Sequence, residues 1–173
     1  EAMNLIKSKR ILYFISKLVQ FIYSFYDKIL ISSNGFRDIV KKRFKKEVIY
    51  FPNWSEKEIE DNIIQKVNKI NLPENKFIIM YTGNIGAAQN FNSLVTTIKE
   101  LVKEDVFWVF VGGGRFKIQF KSNLKKNDLL DKCLFIDPVN VSEIPALSSY
   151  ANAMFLSLKP NDSFAKTIPA KLQ

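Results

Sequence analysis

The chain has 173 residues, enough for one complete domain or for one domain and a fraction of a second. Hydrophobic residues make up 47% of it and aromatic residues 13%, which excludes a disordered chain. The net charge of +9 favours an anionic partner, whereas the lack of histidine excludes imidazole-based triads and most zinc sites within these residues.

The single cysteine, Cys133, excludes an intrachain disulfide and suits a reducing compartment. It begins the apolar run at 133–136, where a buried thiol of the core is expected rather than a nucleophile.

The N-terminal segment is predicted to form a helix, a strand and a helix. Apolar residues recur at helical spacing over residues 5–26. The apolar segment at 11–31 is not expected to span a membrane, because Lys17, Asp27 and Lys28 interrupt it. Residues 28–31 predict a buried parallel strand, and the serines and asparagine at 32–34 predict the N-cap of a helix that continues to residue 42. We expect the other strands of this sheet to lie outside the chain.

A domain boundary is expected where Pro52 and Asn53 follow the apolar run at 48–51. The boundary gives an N-terminal piece, residues 1–50, and a second domain, residues 51–173. A polar helix is predicted at 56–66.

Strands and helices then alternate in the second domain. Strands are predicted at 77–82, 106–111, 133–136 and 153–158, and helices at about 88–103, 115–126 and 142–149. This alternation with short connections predicts an α/β fold, a Rossmann-like parallel sheet with helices on both faces.

A two-glycine turn follows the strand at 77–82. Its residues are Gly83, Asn84, Ile85 and Gly86. Backbone amides without bulky side chains can approach an anion, and a helix beginning near Gln89 would add its positive dipole end. The alternative is an ordinary turn that needs glycine for its dihedral angles.

Residues at three further strand ends are candidates for the same edge of the sheet, where ligands of open α/β sheets bind. Gly113, Arg115 and Lys117 follow the second strand, and both cations could reach a phosphate or be solvated charges. The loop with Val139 follows the third strand. The loop at 159–171 carries two possible anion partners, Lys166 and Lys171, unless it is only a long surface connection.

Residues 41–46 hold five cations in six positions. They could bind anionic lipid headgroups, with the aromatic-rich helix at 5–26 lying on the membrane surface, or they could be a solvated helix end. Nucleic acid is not an expected partner, because no helix-turn-helix, zinc or aromatic RNA-binding motif accompanies the charge.

Together these segments resemble, in order and spacing, the family-4 retaining glycosyltransferases, which have the two-domain GT-B fold. The resemblance rests on residues 29–36, 48–54, 81–90, 110–114 and 167–171. The nearest subgroup is that of bacterial enzymes of O-antigen and capsule assembly that transfer amino-deoxy sugars.

The resemblance implies a fold and an activity. The chain would be an incomplete C-terminal donor domain preceded by the end of an N-terminal acceptor domain. The enzyme would transfer a hexosyl or HexNAc group from a UDP-sugar or another nucleotide-diphosphate sugar to a lipid-linked saccharide, with retention and without metal or cofactor. Its location would be cytoplasmic, at the inner face of the plasma membrane if the basic helices bind lipid.

The resemblance also assigns roles to the loops. The amides of Gly83, Asn84, Ile85 and Gly86 would face the donor phosphates, the loop with Val139 would border the base, and the loop with Thr167 would border the sugar.

Three positions depart from the family pattern. Asn84 and Gln89 stand where many members carry an arginine and a lysine on the donor diphosphate. Lys166 stands where the first of two family glutamates is expected, and the second would fall just beyond Gln173. No catalytic residue is therefore predicted within the chain, which is expected to be inactive alone. We hypothesise that Lys166 or Lys171 supplies the missing phosphate charge.

Two other interpretations stay open at this point. One is a non-catalytic α/β module that binds a nucleotide or a phosphoprotein. The other is a basic adaptor at a membrane surface or on nucleic acid, which would bind in a salt-sensitive way and ignore nucleotides.

Overall fold

The computed structural model describes residues 8–54 and 70–172. The chain divides into two compact units, one formed by Glu1–Trp54 with Pro160–Gln173 and the other by Ser55–Lys159. The helix predicted at 56–66 lies outside the described residues. The domain limits predicted from the sequence, 1–50 and 51–173, remain predictions, and the compact units differ from them in placing residues 160–173 with the N-terminal segment.

The first unit contains two helices and a two-stranded parallel sheet. The elements are α1 (Lys9–Ser24), β1 (Lys28–Ile31), α2 (Arg37–Phe44) and β2 (Glu47–Tyr50). The strand predicted at 28–31 is confirmed, and the Ser33 side chain caps the following turn by accepting the amide of Gly35 at 3.2 Å. The strand β2 was not predicted as such. It forms because Val48 is buried beside Ile29 and Ile31.

The second unit is built on a four-stranded parallel sheet of order β5-β4-β3-β6. Its elements are β3 (Phe77–Thr82), α3 (Phe91–Glu100), β4 (Val106–Val111), α4 (Lys117–Lys126), β5 (Cys133–Ile136), α5 (Ile144–Ser148) and β6 (Ala153–Met154). The strands predicted at 77–82, 106–111 and 133–136 are confirmed.

Several predicted elements are shorter than expected, among them one strand and one helix of the second unit. The strand predicted at 153–158 pairs with β3 only through Ala153–Met154, because the chain then leaves the edge of the sheet and the amide of Lys159 bonds to the carbonyl of Ala88 instead. The helix predicted to begin near Gln89 begins at Phe91, after a 3-10 turn over Ala87–Gln89.

Helices cover both faces of the four-stranded sheet, as predicted. Alternate strand residues point to opposite faces. On one face Tyr81 and Phe110 pack with Phe91 of α3 and Phe120 of α4 in a cluster rich in aromatic rings. On the other face a smaller cluster includes Leu147 of α5. No helix among the described residues is both long and apolar enough to cross a membrane.

Candidate functional site

The two glycine turns of the second unit interlock through backbone hydrogen bonds. The amide of Gly83 donates to the carbonyl of Val111 at 2.8 Å, and that of Ile85 donates to Gly113 at 2.6 Å. The amide of Phe116 returns to the carbonyl of Ile85 at 3.1 Å. The turns after β3 and β4 are therefore one structure at the carboxyl edge of the sheet.

This interlocking explains the glycines without any ligand. Gly112 has a φ of 136° and Gly114 a φ of 145°, values that L side chains rarely adopt. A Cβ at Gly112 would also collide with the carbonyl oxygen of Gly83, and one at Gly114 with that of Ile85. The backbone requires these two glycines, so glycine content alone is no argument for a phosphate site.

A cavity at this edge of the sheet is better evidence for a ligand site than the glycine content. Four residues predicted for the site, Gly83, Asn84, Gly113 and Val139, line a cavity of about 330 Å³ at this edge. Neighbouring Pro138 and Ile144 add an apolar wall. Small-molecule sites in proteins begin at about 300 Å³ and combine apolar walls with a few polar groups. The cavity therefore has the volume of a small-molecule site and combines an apolar wall with glycine peptide groups.

Asn84 and Gln89, two of the three positions that depart from the family pattern, both border Gly86. The Oε1 atom of Gln89 accepts the amide of Gly86 at 3.1 Å. A Cβ at Gly86 would lie 2.6 Å from Nδ2 of Asn84. The structure thus brings these positions together, with neutral amides where the family pattern has two cations.

The backbone amides expected to face phosphates are mostly engaged. Three of the four donate within the protein: Gly83 to Val111, Ile85 to Gly113 and Gly86 to the Gln89 side chain. The side chain of Ile85 is fully buried. Phosphate contact at these amides stays a prediction, and for Gly86 it would require Gln89 to move.

Tyr81 supports this turn and was not among the predicted site residues. Its hydroxyl donates to the carbonyl of Asn84 at 2.6 Å, and burial raises the pKa of Tyr81 to about 12. The sequence offers only a weak signal for this role, a tyrosine at the penultimate position of a buried strand.

The predicted cations after β4 have different surroundings. Arg115 is exposed. Lys117 is mostly buried, with a side chain 15% exposed, and its Nζ donates to the carbonyl of Gly112 at 2.9 Å and to Oδ1 of Asp137 at 2.8 Å. The hydrogen bond and charge of Lys117 lower the pKa of the Asp137 carboxyl. Lys117 is therefore part of the loop structure itself.

Lys166, Thr167 and Lys171 belong to the first compact unit. The Thr167 hydroxyl donates to the carbonyl of Ser163 at 2.9 Å. A Cβ at Gly35 would lie 2.9 Å from Cβ of Lys166, so the 3-10 turn over Phe164–Lys166 packs closely on Gly35. Desolvation lowers the pKa of Lys171. Their assignment to a donor site remains a prediction.

Within residues 8–54 and 70–172, no three histidine, cysteine, aspartate or glutamate side chains form a cluster that could hold a metal ion.

The sequence and the fold of this chain were compared with those of known proteins. The Escherichia coli protein WcaI, named as a glycosyl transferase of colanic acid biosynthesis, is 30% identical over 131 residues, or 72% of this chain and 31% of WcaI. This chain thus spans about a third of that relative. Sucrose-phosphate synthase from Thermosynechococcus elongatus superposes with a TM-score of 0.68 at 15% identity, over 88% of this chain and 41% of that one.

HepE from Anabaena, solved in complex with UDP and glucose, superposes with a TM-score of 0.59 at 9% identity, over 85% of this chain and 42% of that one. These structures share the Rossmann-like GT-B fold, as predicted. The family model of glycosyl transferases group 1 matches residues 62–165, which include both glycine turns and the cavity. The chain therefore belongs to the group 1 glycosyltransferases.

Proposed function

We propose that this chain carries the donor-binding part of a retaining glycosyltransferase that transfers a sugar from a nucleotide diphosphate to a lipid-linked saccharide in bacterial surface polysaccharide synthesis. The observation that carries the proposal is the cavity lined by the two interlocked turns and by the loop with Pro138 and Val139, which lies inside the matched family region. The naming of WcaI for colanic acid biosynthesis supports the polysaccharide context.

The base of the donor occupies this cavity. Pro138 and Val139 would offer apolar surface to a ring, and the glycine turns at Gly83 and Gly113 would lie along its edge. HepE, which shares the fold, was solved with UDP and glucose, so UDP is the first nucleotide to test.

The diphosphate would leave without a metal ion. Cations and backbone amides, held in place before the reaction, can stabilise the negative charge that develops on a leaving group. Lys166 and Lys171 are the cations that the sequence assigns to this role, in place of the neutral Asn84 and Gln89. Addition of a chelator would leave donor binding and transfer unchanged.

The lipid-linked acceptor would bring the enzyme to an anionic membrane. In α1, Phe14 is 72% exposed, Phe21 61% and Leu18 58%, and Arg10 and Lys17 flank this apolar face. Residues 8–54 contain ten lysines and arginines against three acidic residues. An exposed apolar helix face beside cations is suited to the headgroup region of anionic lipid.

Calorimetric titration with UDP and with uridine, at moderate salt, tests the donor assignment. We expect UDP to bind, and Lys166→Ala to weaken UDP binding more than Lys117→Ala does, because Lys166 would meet phosphate. Lys126→Ala, on the far end of α4, is the matched control for loss of one positive charge. Equal losses in the Lys166 and Lys117 variants would refute the assigned role of Lys166.

The same titration separates the alternatives. A basic adaptor would ignore both ligands and bind vesicles in a salt-sensitive way. A non-catalytic module would bind nucleotide, but the longer protein that contains it would transfer no sugar.

A further inference from the structure

We propose that Lys117 is a positioning residue: its ammonium group links two of the loops that form the walls of the cavity, and it does not bind the donor phosphates. The two loops are residues 112–114 and residues 137–139. The inference rests on the proposed function for the identity of the ligand, which is a nucleoside or its diphosphate.

The contacts of Lys117 link the two walls directly. Its Nζ donates to the carbonyl of Gly112 in one loop and to the carboxylate of Asp137 in the other, at 2.9 and 2.8 Å. One backbone bond runs parallel to this link, from the amide of Gly112 to the carbonyl of Ile136 at 3.0 Å. The lysine therefore spans the point where the ends of β4 and β5 meet.

The two walls also approach each other closely beside the cavity. A Cβ at Gly113 would lie 3.2 Å from Cγ of Pro138, which is closer than ordinary van der Waals contact. A small separation of the two loops would therefore change the width of the cavity that Gly113, Pro138 and Val139 line. A group that fixes their separation controls how well a ring fits.

The charge of Lys117 is poorly available for a phosphate. A lysine ammonium has three donors, and two of these are used inside the protein. The carboxylate of Asp137 balances its charge, and the side chain is only 15% exposed. A phosphate would have to displace a carboxylate that is already bonded.

Two roles for Lys117 predict opposite results for Asp137→Asn. If Lys117 binds phosphate, removing the competing carboxylate releases the ammonium, so UDP should bind more tightly and uridine unchanged. If Lys117 positions the walls, the same variant weakens the link, and both ligands lose affinity together. Uridine carries no phosphate, so its response isolates the fit of the nucleoside.

The experiment is calorimetric titration of the whole chain and its variants with uridine and with UDP. We expect Lys117→Met to weaken both ligands by the same factor, about fivefold, and Asp137→Asn by about twofold, since Asp137 is exposed and its attraction is screened. Lys117→Arg should restore most of the affinity. The double variant should be no worse than Lys117→Met alone, because the two residues share one interaction.

Lys76→Met is the matched control. Lys76 pairs with Asp105 at 2.5 Å in the same unit, next to the start of β3 and not among the residues that line the cavity. The control should leave uridine affinity unchanged. Equal weakening by Lys76→Met and Lys117→Met would show a general loss of stability and overturn the positioning role, as would tighter UDP binding in Asp137→Asn.

A ligand-free measurement keeps this inference separate from the proposed function. In amide NMR spectra, Lys117→Met should shift the resonances of Gly113 and Val139, and Lys117→Arg should return them toward the parent positions. If the parent protein binds neither uridine nor UDP, the proposed function fails, whereas unmoved resonances in Lys117→Met overturn the positioning role alone.

Discussion

Helix α1 of the first compact unit and the core of the second differ in the burial of their aromatic residues. In the second unit Phe91 is 1% exposed and Phe120 is 0% exposed, each packed between helix and sheet. In the first unit Phe14 is 72% exposed and Phe25 is 71% exposed, and α1 has no buried residue. Both α1 and the segments that form the second unit's core are rich in apolar residues. Within the described residues, the second unit buries aromatic rings in a core, whereas the rings of α1 are uncovered, and the sequence pattern alone does not distinguish these two arrangements.

The largest effect should come from the core of the second unit. Phe120→Ala removes a ring whose centroid lies 4.8 Å from that of Phe91 and 5.0 Å from that of Phe110. We expect a loss of about 3–5 kcal/mol in the free energy of unfolding. Denaturant titration followed by circular dichroism measures it.

Phe14→Ala on α1 is the matched control for this comparison, and it should change the free energy of unfolding by less than about 0.5 kcal/mol. Similar losses in the two variants would mean that α1 is part of a core after all, and the contrast between the units would fail.

The next effect is on the alkylation rate of Cys133, which lies in the second unit and measures how well that unit protects its thiol. Burial, followed by the charge of Asp131, raises the pKa of the Cys133 thiol to about 12. Since the thiolate is the reactive form, little of it exists at pH 8. Alkylation by iodoacetamide at pH 8 should be at least about a hundredfold slower than for the unfolded chain.

The alkylation rate of Cys133 in denaturant is the reference for that prediction. This rate should rise steeply with pH, because the thiolate fraction of a free thiol does. Alkylation of the folded protein at the unfolded rate would contradict a closed second unit.

The smallest effect should come from the exposed face of α1. Sedimentation with vesicles of phosphatidylglycerol should carry the protein down, and phosphatidylcholine vesicles should not, because the face combines apolar rings with cations. Leu18→Glu should weaken vesicle binding about tenfold, since it places a charge in the apolar layer.

Ile118→Glu is the control, because Ile118 is 83% exposed but lies on α4 of the second unit. Equal loss in both variants would point to nonspecific adsorption. Failure of Leu18→Glu to change sedimentation would remove α1 from the membrane proposal.

The sequence predicted the limits of the strands in the second unit best where the strand lies in the middle of the sheet. The runs at 77–82 and 106–111 are continuous and apolar, and each is closed by a glycine, so their limits were predictable. The strand predicted at 153–158 was too long, because an edge strand pairs only as far as its neighbour allows, and that depends on register.

The site was predictable in part for the same reason. Glycine turns at two strand ends predicted that Gly83 and Gly113 would meet, and they line one cavity. The link from Lys117 to Asp137 was not predictable, because it joins residues twenty positions apart and depends on how β4 pairs with β5. Nor could the pattern reveal that the amide of Gly86 is already bonded to Gln89.

The most direct test of the central claim is a two-dimensional NMR titration of this chain with UDP and, separately, with GDP. Donor binding at the cavity predicts saturable shifts centred on Gly83, Asn84, Gly113 and Val139, stronger with the nucleotide whose base fits. Shifts confined to residues 41–46, or no shifts with either nucleotide, would contradict it.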